Sequence, residues 1–424
     1  MRVYHLTINH ICTRFVIDMP QVSPSMSTKF EFPVGVKLLN KVLGPYQQPL
    51  VAQELIDAAK KRSGLSDFGT DFFVSALEEV CKDVNTSSNF HPLGAFLYKN
   101  KVIMNLVNRL WSQYWLKKEP NIDSPLPPAV LITGLQRTGT TFLQRLLGAL
   151  PEFRGVISWE IVNPVPTSGK KNYYGKYQAW AAHKALNYIN PKFKSIHAVD
   201  YDSLEEEVVL MEHCFMSSVL EAAMTVPKYA RWLENQDQTE AYRDLEMWLK
   251  FLLWREPAGD YLLLKSPHHM EYLDAFTKVF QDVKIIQTHR TPVQTLASFC
   301  SMVEEGAMFF QPEVDLHQIG RHWLRKNKRL IDKSQDFKKR NPEQFTDIAY
   351  QELVSDPLGT VSQIYAELGL TWTSKHAALA EAFCAKHKKN KYGKHVYSLE
   401  KYGLTESLIE DTFSDYLEAY KAYL

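Results

Sequence analysis

The segment Gly134-Leu-Gln136-Arg137-Thr138-Gly139-Thr140-Thr141 sets two glycines at Gly-x4-Gly spacing, with one cation and three hydroxyls among its residues. A loop of this kind turns its backbone N–H groups toward an anion at the N-terminus of the following helix. The triphosphatase version continues with Lys and then Ser or Thr. Here Thr140 stands at the Lys position, and the cation, Arg137, lies inside the loop. Triphosphatases also need an Asp at a strand end to help hold Mg²⁺. The later strand-like runs end instead in Lys265-Ser266-Pro267 and Thr288-His289-Arg290. These residues suit an anion held by Arg, Lys, hydroxyls and backbone without a metal. Ligands of open parallel sheets bind at strand C-terminal ends, so Lys265 is expected to reach the same anion as Arg137. Arg290 marks a further station. Thr291 fits an N-cap, Pro292 fits the first helical position, and Thr295 and Ser298 follow at three-residue steps. A cation beside small hydroxyls suits a second phosphate.

These stations need a scaffold that brings them to one edge. Ala129–Thr133 is a short apolar run ended by Gly134, and Thr140–Leu150 reads as a helix with Leu143, Leu146, Leu147 and Leu150 on one face. Strand, loop and helix in that order open a parallel α/β unit. Tyr261–Leu264, Val283–Thr288 and Phe345–Ala349 read as further buried parallel strands, each followed by a helical stretch. Residues 151–175, rich in Pro, Gly and Lys, are expected to form a long loop. Residues 203–220 are expected to be a helix opened by the capping pattern Ser203-Leu-Glu-Glu206, with Glu205, Glu206, Glu207 and Glu212 on a solvated face or, alternatively, touching an acceptor. The basic run Arg321–Arg329 likewise reads as a solvated helix face. The aromatic stretch Tyr173–Trp180 either lines an acceptor site or packs in the core.

The expected fold is α/β, a P-loop-type three-layer arrangement with a central parallel sheet, preceded by a helical N-terminal region. Its expected divisions are an irregular extension at residues 1–35, helices at 36–126 and the α/β domain at 127–424. With 49 basic and 48 acidic residues and 45% hydrophobic content, the chain is globular in composition and lacks the basic excess of a nucleic-acid binder. The five cysteines include no CxxC pair, which points away from zinc and disulfides and toward a reducing, cytoplasmic setting. No apolar run approaches the roughly 20 residues that span a bilayer. His5, Asn9, His10 and Arg14 interrupt the N-terminus, which reads as a frayed extension or, alternatively, an organelle transit peptide.

Together these motifs resemble the sulfotransferases that use 3′-phosphoadenosine-5′-phosphosulfate (PAPS). The likeness is to the broad group of bacterial members and, more distantly, to the tyrosylprotein sulfotransferases. Gly134–Thr141 resembles their 5′-phosphosulfate loop, and Arg290 with Ser298 keeps the spacing of their 3′-phosphate motif. Lys265-Ser266-Pro267, Tyr350-Gln-Glu-Leu-Val-Ser-Asp-Pro357 and the basic stretch around Lys391 and Lys394 are similar to later family elements. The likeness spans about residues 127–410.

The resemblance implies metal-free, in-line transfer of a sulfuryl group from PAPS to a hydroxyl or amine of a small-molecule or glycan acceptor. It implies that residues of Gly134–Thr141, Gln136 included, hold the phosphosulfate, with Arg137, Lys265, Thr140 and Thr141 on the leaving phosphate. Arg290 and Ser298 would take the 3′-phosphate, and Tyr350, Lys391 and Lys394 would complete the nucleotide site. For the general base, Glu160 stands roughly where the tyrosylprotein branch has its catalytic Glu, and Trp159 beside it would help raise its pKa. His269 and His268 are rivals, because they follow Lys265 directly and imidazole titrates near about 6.5. The alternatives are a P-loop small-molecule kinase, which Thr140 in place of Lys opposes, and a non-catalytic PAP-binding protein, which the retained Lys265 and Arg290 oppose. Neither nucleic acid nor a membrane span is implied, and the oligomeric state is left open.

Overall fold

The computed structural model describes residues 26–166, 173–193, 200–257, 259–387 and 398–424. Seven strands lie in this part of the chain: β1 (Ser27–Lys29), β2 (Ala129–Thr133), β3 (Phe153–Gly155), β4 (Tyr261–Lys265), β5 (Lys284–His289), β6 (Glu313–Asp315) and β7 (Phe345–Ala349). Five form one parallel sheet in the order β3-β4-β2-β5-β7, and β1 pairs with β6 in a separate antiparallel ribbon. β2 is central, with β4 on one side and β5 on the other. The crossovers from it therefore run both ways, and the crevice at its C-terminal end is the switch point where such sheets take ligands.

The inner strands β2 and β4 are near-continuous apolar runs because both faces are covered, whereas only Ile348 is buried in the edge strand β7. Ala129, Leu131, Leu262, Leu264 and Ile285 turn into one core, and Val130, Ile132, Leu263, Ile286 and Ile348 into another. The second core holds Leu143, Leu146 and Leu147, one stripe of the helix Thr140–Leu147. Each fully buried Leu of that stripe contributes about 1.5–3 kcal/mol relative to exposure. The first core extends into the helices Ala52–Ser63, Phe73–Ser87 and Pro92–Lys118. The last of these also buries Arg109, which donates to both carboxylate oxygens of Asp244 at 2.7 and 2.8 Å and lies 4.7 Å from the Phe73 ring centre.

Three local expectations are corrected. Residues 151–175 are not one long loop: they hold β3, the helix Ser158–Val162 and the start of the helix Tyr173–Ile189. Residues 203–220 are not one helix. A 3-10 helix spans Glu207–His213 and an α-helix spans Val219–Ala223, while Leu204 forms an isolated bridge with Ile157. Arg321–Arg329 is not a solvated face. Lys326 is buried there, with its Nζ 3.2, 3.5 and 2.7 Å from carboxylates of Glu221, Glu234 and Glu271. No helix among the described residues is long and apolar enough to cross a membrane.

Candidate active site

β2 delivers the chain into the loop, and the loop's shape follows from its glycines. Gly134 has φ 141°, and a Cβ there would stand 2.6 Å from the carbonyl oxygen and from Oγ1 of Thr288. Gly139 has φ 94°, in the region that favours glycine. Arg137 enters the left-handed region without that freedom, at φ 70°. A tertiary contact holds it, since Arg290 Nη1 donates to the Arg137 carbonyl at 3.0 Å. The Thr138 hydroxyl donates to the Leu135 carbonyl at 2.6 Å and meets Thr288 Oγ1 at 2.7 Å, so it fixes the loop to β5. The N-terminus of the helix Thr140–Leu147 follows at once, with its first backbone N–H groups uncommitted within the helix.

The loop is shared between two cationic stations. On one side Lys265 ends β4. Its side chain is 1% exposed, and its Nζ lies 3.3 Å from Thr141 Oγ1 and 2.6 Å from Glu206 Oε1. On the other side Arg137 Nε donates to Ser298 Oγ at 3.1 Å. Beside that contact, the Arg290 guanidinium stacks 4.1 Å from the Tyr350 ring centre. Arg137, expected to share an anion with Lys265, thus reaches the Arg290–Ser298 side. Ser298 and Thr295 are buried on the helix Pro292–Ala307, and Thr295 donates back to the Pro292 carbonyl. Oε1 of Gln136 is buried with no hydrogen-bond partner among the described residues. Lys391 and Lys394 lie outside the described residues.

The candidate bases differ in their surroundings. Glu160 is buried: its Oε1 accepts from Arg154 at 2.6 Å and its Oε2 from the Ile157 backbone N–H at 2.9 Å. Both oxygens are engaged in fixing the turn that leaves β3. His269 is fully buried, 2.6 Å from Glu207 Oε1 on one nitrogen and 2.9 Å from the Tyr242 hydroxyl on the other. His268 meets Ser218 Oγ at 3.0 Å, and burial pushes its pKa well below the ordinary imidazole value. Neighbouring His269 and Lys326 add to that shift.

Two of the glutamates expected on a solvated face, or alternatively against an acceptor, lie here. Glu206 accepts from Lys265 Nζ and, at 2.9 Å, from the Ser266 hydroxyl, and its side chain is 26% exposed. Glu207 is fully buried and accepts from the Lys265 backbone N–H at 2.8 Å. The one sequence signal was four acids within eight residues (Glu205, Glu206, Glu207 and Glu212), a density also found on ordinary surface helices. Of the aromatic stretch, Tyr177 and Trp180 are exposed and do not pack in the core.

The glycine cradle, the open helix N-terminus and the two cationic stations fit a ligand with two separated anionic groups. The description "Sulfotransferase family" fits residues 128–374, more than half of the chain. An omega-hydroxy-beta-dihydromenaquinone-9 sulfotransferase of Mycobacterium bovis is 22% identical over 352 residues, 77% of this chain and 83% of that protein. A crystal structure of a sulfotransferase from Mycobacterium tuberculosis superposes with a TM-score of 0.74 at 30% identity, over 87% of this chain and 99% of that one. One from Mycobacterium avium gives 0.76 at 24% identity, over 87% and 96%, a likeness of fold.

Proposed function

The chain belongs to the sulfotransferase family, and on that premise we propose that it moves a sulfuryl group from PAPS to a hydroxyl or amine of a small-molecule or glycan acceptor, without a metal. The observation that carries this reading is the division of one loop between two cationic stations, Thr141 with Lys265 and Arg137 with Ser298 and Arg290. PAPS supplies a sulfuryl group on a 5′-phosphate leaving group and carries a second phosphate at the 3′ position. Lys265, Thr140, Thr141 and the helix N-terminus stabilise charge on the leaving phosphate. Backbone N–H groups from Gln136 to Gly139 cradle it. Arg290, Ser298 and Arg137 hold the 3′-phosphate through charge-assisted hydrogen bonds, and the Tyr350 ring packs against the Arg290 guanidinium.

Glu206 is the general base in this reading. It is the carboxylate beside Lys265 that also keeps partial access to solvent, and a base must reach the proton it removes. Glu160, His268 and His269 hold the turns around the site. An alcohol acceptor agrees with the omega-hydroxy substrate in the mycobacterial relative's name. A reducing, cytoplasmic setting is part of the proposal, and Cys81, Cys214, Cys300 and Cys384 are free thiols.

A thermal-shift titration tests the donor. PAP is expected to raise the unfolding midpoint without Mg²⁺, and Mg²⁺-ATP is expected to leave it unchanged. A mass-spectrometric screen over alcohols, phenols, amines and glycans then looks for an added sulfuryl group. Stabilisation by ATP only with Mg²⁺ would favour a kinase. Stabilisation by PAP without transfer to any acceptor would favour a non-catalytic PAP-binding protein.

A further inference from the structure

The outer side of the helix Val34–Leu43 is apolar and uncovered. Val34 is 82% exposed and Leu38 62%, while Val36 is buried on the inner side. The helix Tyr173–Ile189 is similarly bare, with Tyr177 73% and Trp180 48% exposed. Steps of three, four, seven and eleven residues from Tyr177 put Trp180, Ala181, Lys184 and Tyr188 along one side of that helix. The two uncovered sides adjoin. A Cβ on Gly35 would stand 2.7 Å from the Tyr188 hydroxyl oxygen, and Val36 and Ile189 share one buried cluster. Single exposed apolar residues are ordinary, but a contiguous set spread over two neighbouring helices marks an interaction surface.

Charge selects the partner. The two helices carry Lys37, Lys41, Lys176 and Lys184 and no acidic residue. Lys37 and Lys41 flank Leu38 at helical spacing, and Lys184 Nζ lies 5.9 Å from the Trp180 ring centre. A second copy meeting this face would set lysine against lysine with no carboxylate between. The chain's own residues 1–25 contain one acid, Asp18, against Arg2 and Arg14, and offer no complement either.

We propose that this face docks on an anionic lipid surface. Leu38, Val34 and Val42 enter the boundary between headgroups and acyl chains, Trp180 and Tyr177 lie at headgroup level, and the lysines meet lipid phosphates. The docking is tested apart from the sulfuryl-transfer reading on the helix Val34–Leu43, none of whose residues belongs to the candidate active site.

Vesicle co-sedimentation of the full-length protein tests it. The wild-type protein is expected to sediment with phosphatidylcholine vesicles containing phosphatidylserine, not with phosphatidylcholine alone, and to be released as salt rises. Lys37→Glu with Lys41→Glu, and separately Leu38→Ser with Val42→Ser, are each expected to lower partitioning at least about tenfold. The unfolding midpoint and transfer to a soluble acceptor are expected to stay unchanged. Absence of wild-type sedimentation, equal sedimentation with both vesicle types, or equal sedimentation of variants and wild type would overturn the proposal. So would a wild-type dimer that the Leu38→Ser with Val42→Ser change dissolves, which would give the face to a second copy.

Discussion

Glu206→Gln is the sharpest test of the site. Glu206 is held by two donors, Lys265 Nζ at 2.6 Å and the Ser266 hydroxyl at 2.9 Å. Glutamine keeps the shape and one carbonyl acceptor toward Lys265, but it cannot take up a proton near neutral pH. A positioned general base contributes about 100- to 10,000-fold, which is about 3–5 kcal/mol of transition-state stabilisation. The variant is therefore expected to lose that factor in kcat. Its ground-state binding should move the other way: removing the carboxylate charge leaves Lys265 more strongly positive toward an anion, so PAP should bind equally well or more tightly. The assay is steady-state sulfuryl transfer to the screened acceptor with PAP affinity by calorimetry. A role limited to holding Lys265 gives a different pattern: kcat within about tenfold of wild type. That result would refute the assignment.

Gly134→Ala forces a Cβ to within 2.6 Å of Thr288 at φ 141°. It is expected to cost about 1–3 kcal/mol in denaturant unfolding and to abolish the PAP-induced thermal shift; full stability would contradict the cradle geometry. Arg290→Ala removes the cation stacked on Tyr350. It should weaken PAP about 10- to 100-fold more than adenosine 5′-phosphate, which lacks the 3′-phosphate and loses only the Arg290 contact that steadies the loop at Arg137; equal losses for both nucleotides would move the 3′-phosphate elsewhere. Burial pushes the His213 imidazole down to about 3 from its ordinary 6.5. The unfolded chain takes up that proton first, so stability is full above the ordinary value and falls as pH drops toward the lowered one, by about 2 kcal/mol between about pH 7.5 and pH 5. Urea unfolding across that range checks the slope, and His213→Gln should make it shallower by that amount, leaving the share of His268, whose imidazole burial also pushes down.

The inner strands β2, β4 and β5 were legible because they are buried on both faces, which leaves an apolar run such as Ala129–Thr133 in the sequence. The loop was legible because its glycines are required by backbone geometry. β3 was not. It has three residues, only one of them a large apolar side chain, and its pairing with β4 carries no local signal. The capping pattern at Ser203 misled for a tertiary reason. The Ser203 carbonyl accepts from Ser158 N–H, and Glu205 N–H donates to the Val156 carbonyl. The chain leaving β3 thus holds residues 203–205 extended, and those contacts outweigh a helical start.

That extension is what makes the pair Glu206 and Glu207 chemically unequal. Glu206 has φ −76° and ψ 123°, an extended conformation. Successive side chains on extended backbone point to opposite sides, whereas on a helix they would lie about 100° apart on one solvated surface. Glu206 accordingly turns toward the Lys265 ammonium and the Ser266 hydroxyl, and Glu207 turns inward to the Lys265 backbone N–H and His269. Both carboxylates therefore grip the segment from Lys265 to His269 from opposite sides. Glu207, fully buried and bonded to two partners, can position that turn but cannot meet a substrate. Glu206 keeps an exposed edge beside Lys265, whose ammonium reaches the loop at Thr141. The base assignment thus rests on a backbone conformation at one residue, which neither its type nor its spacing in the sequence discloses.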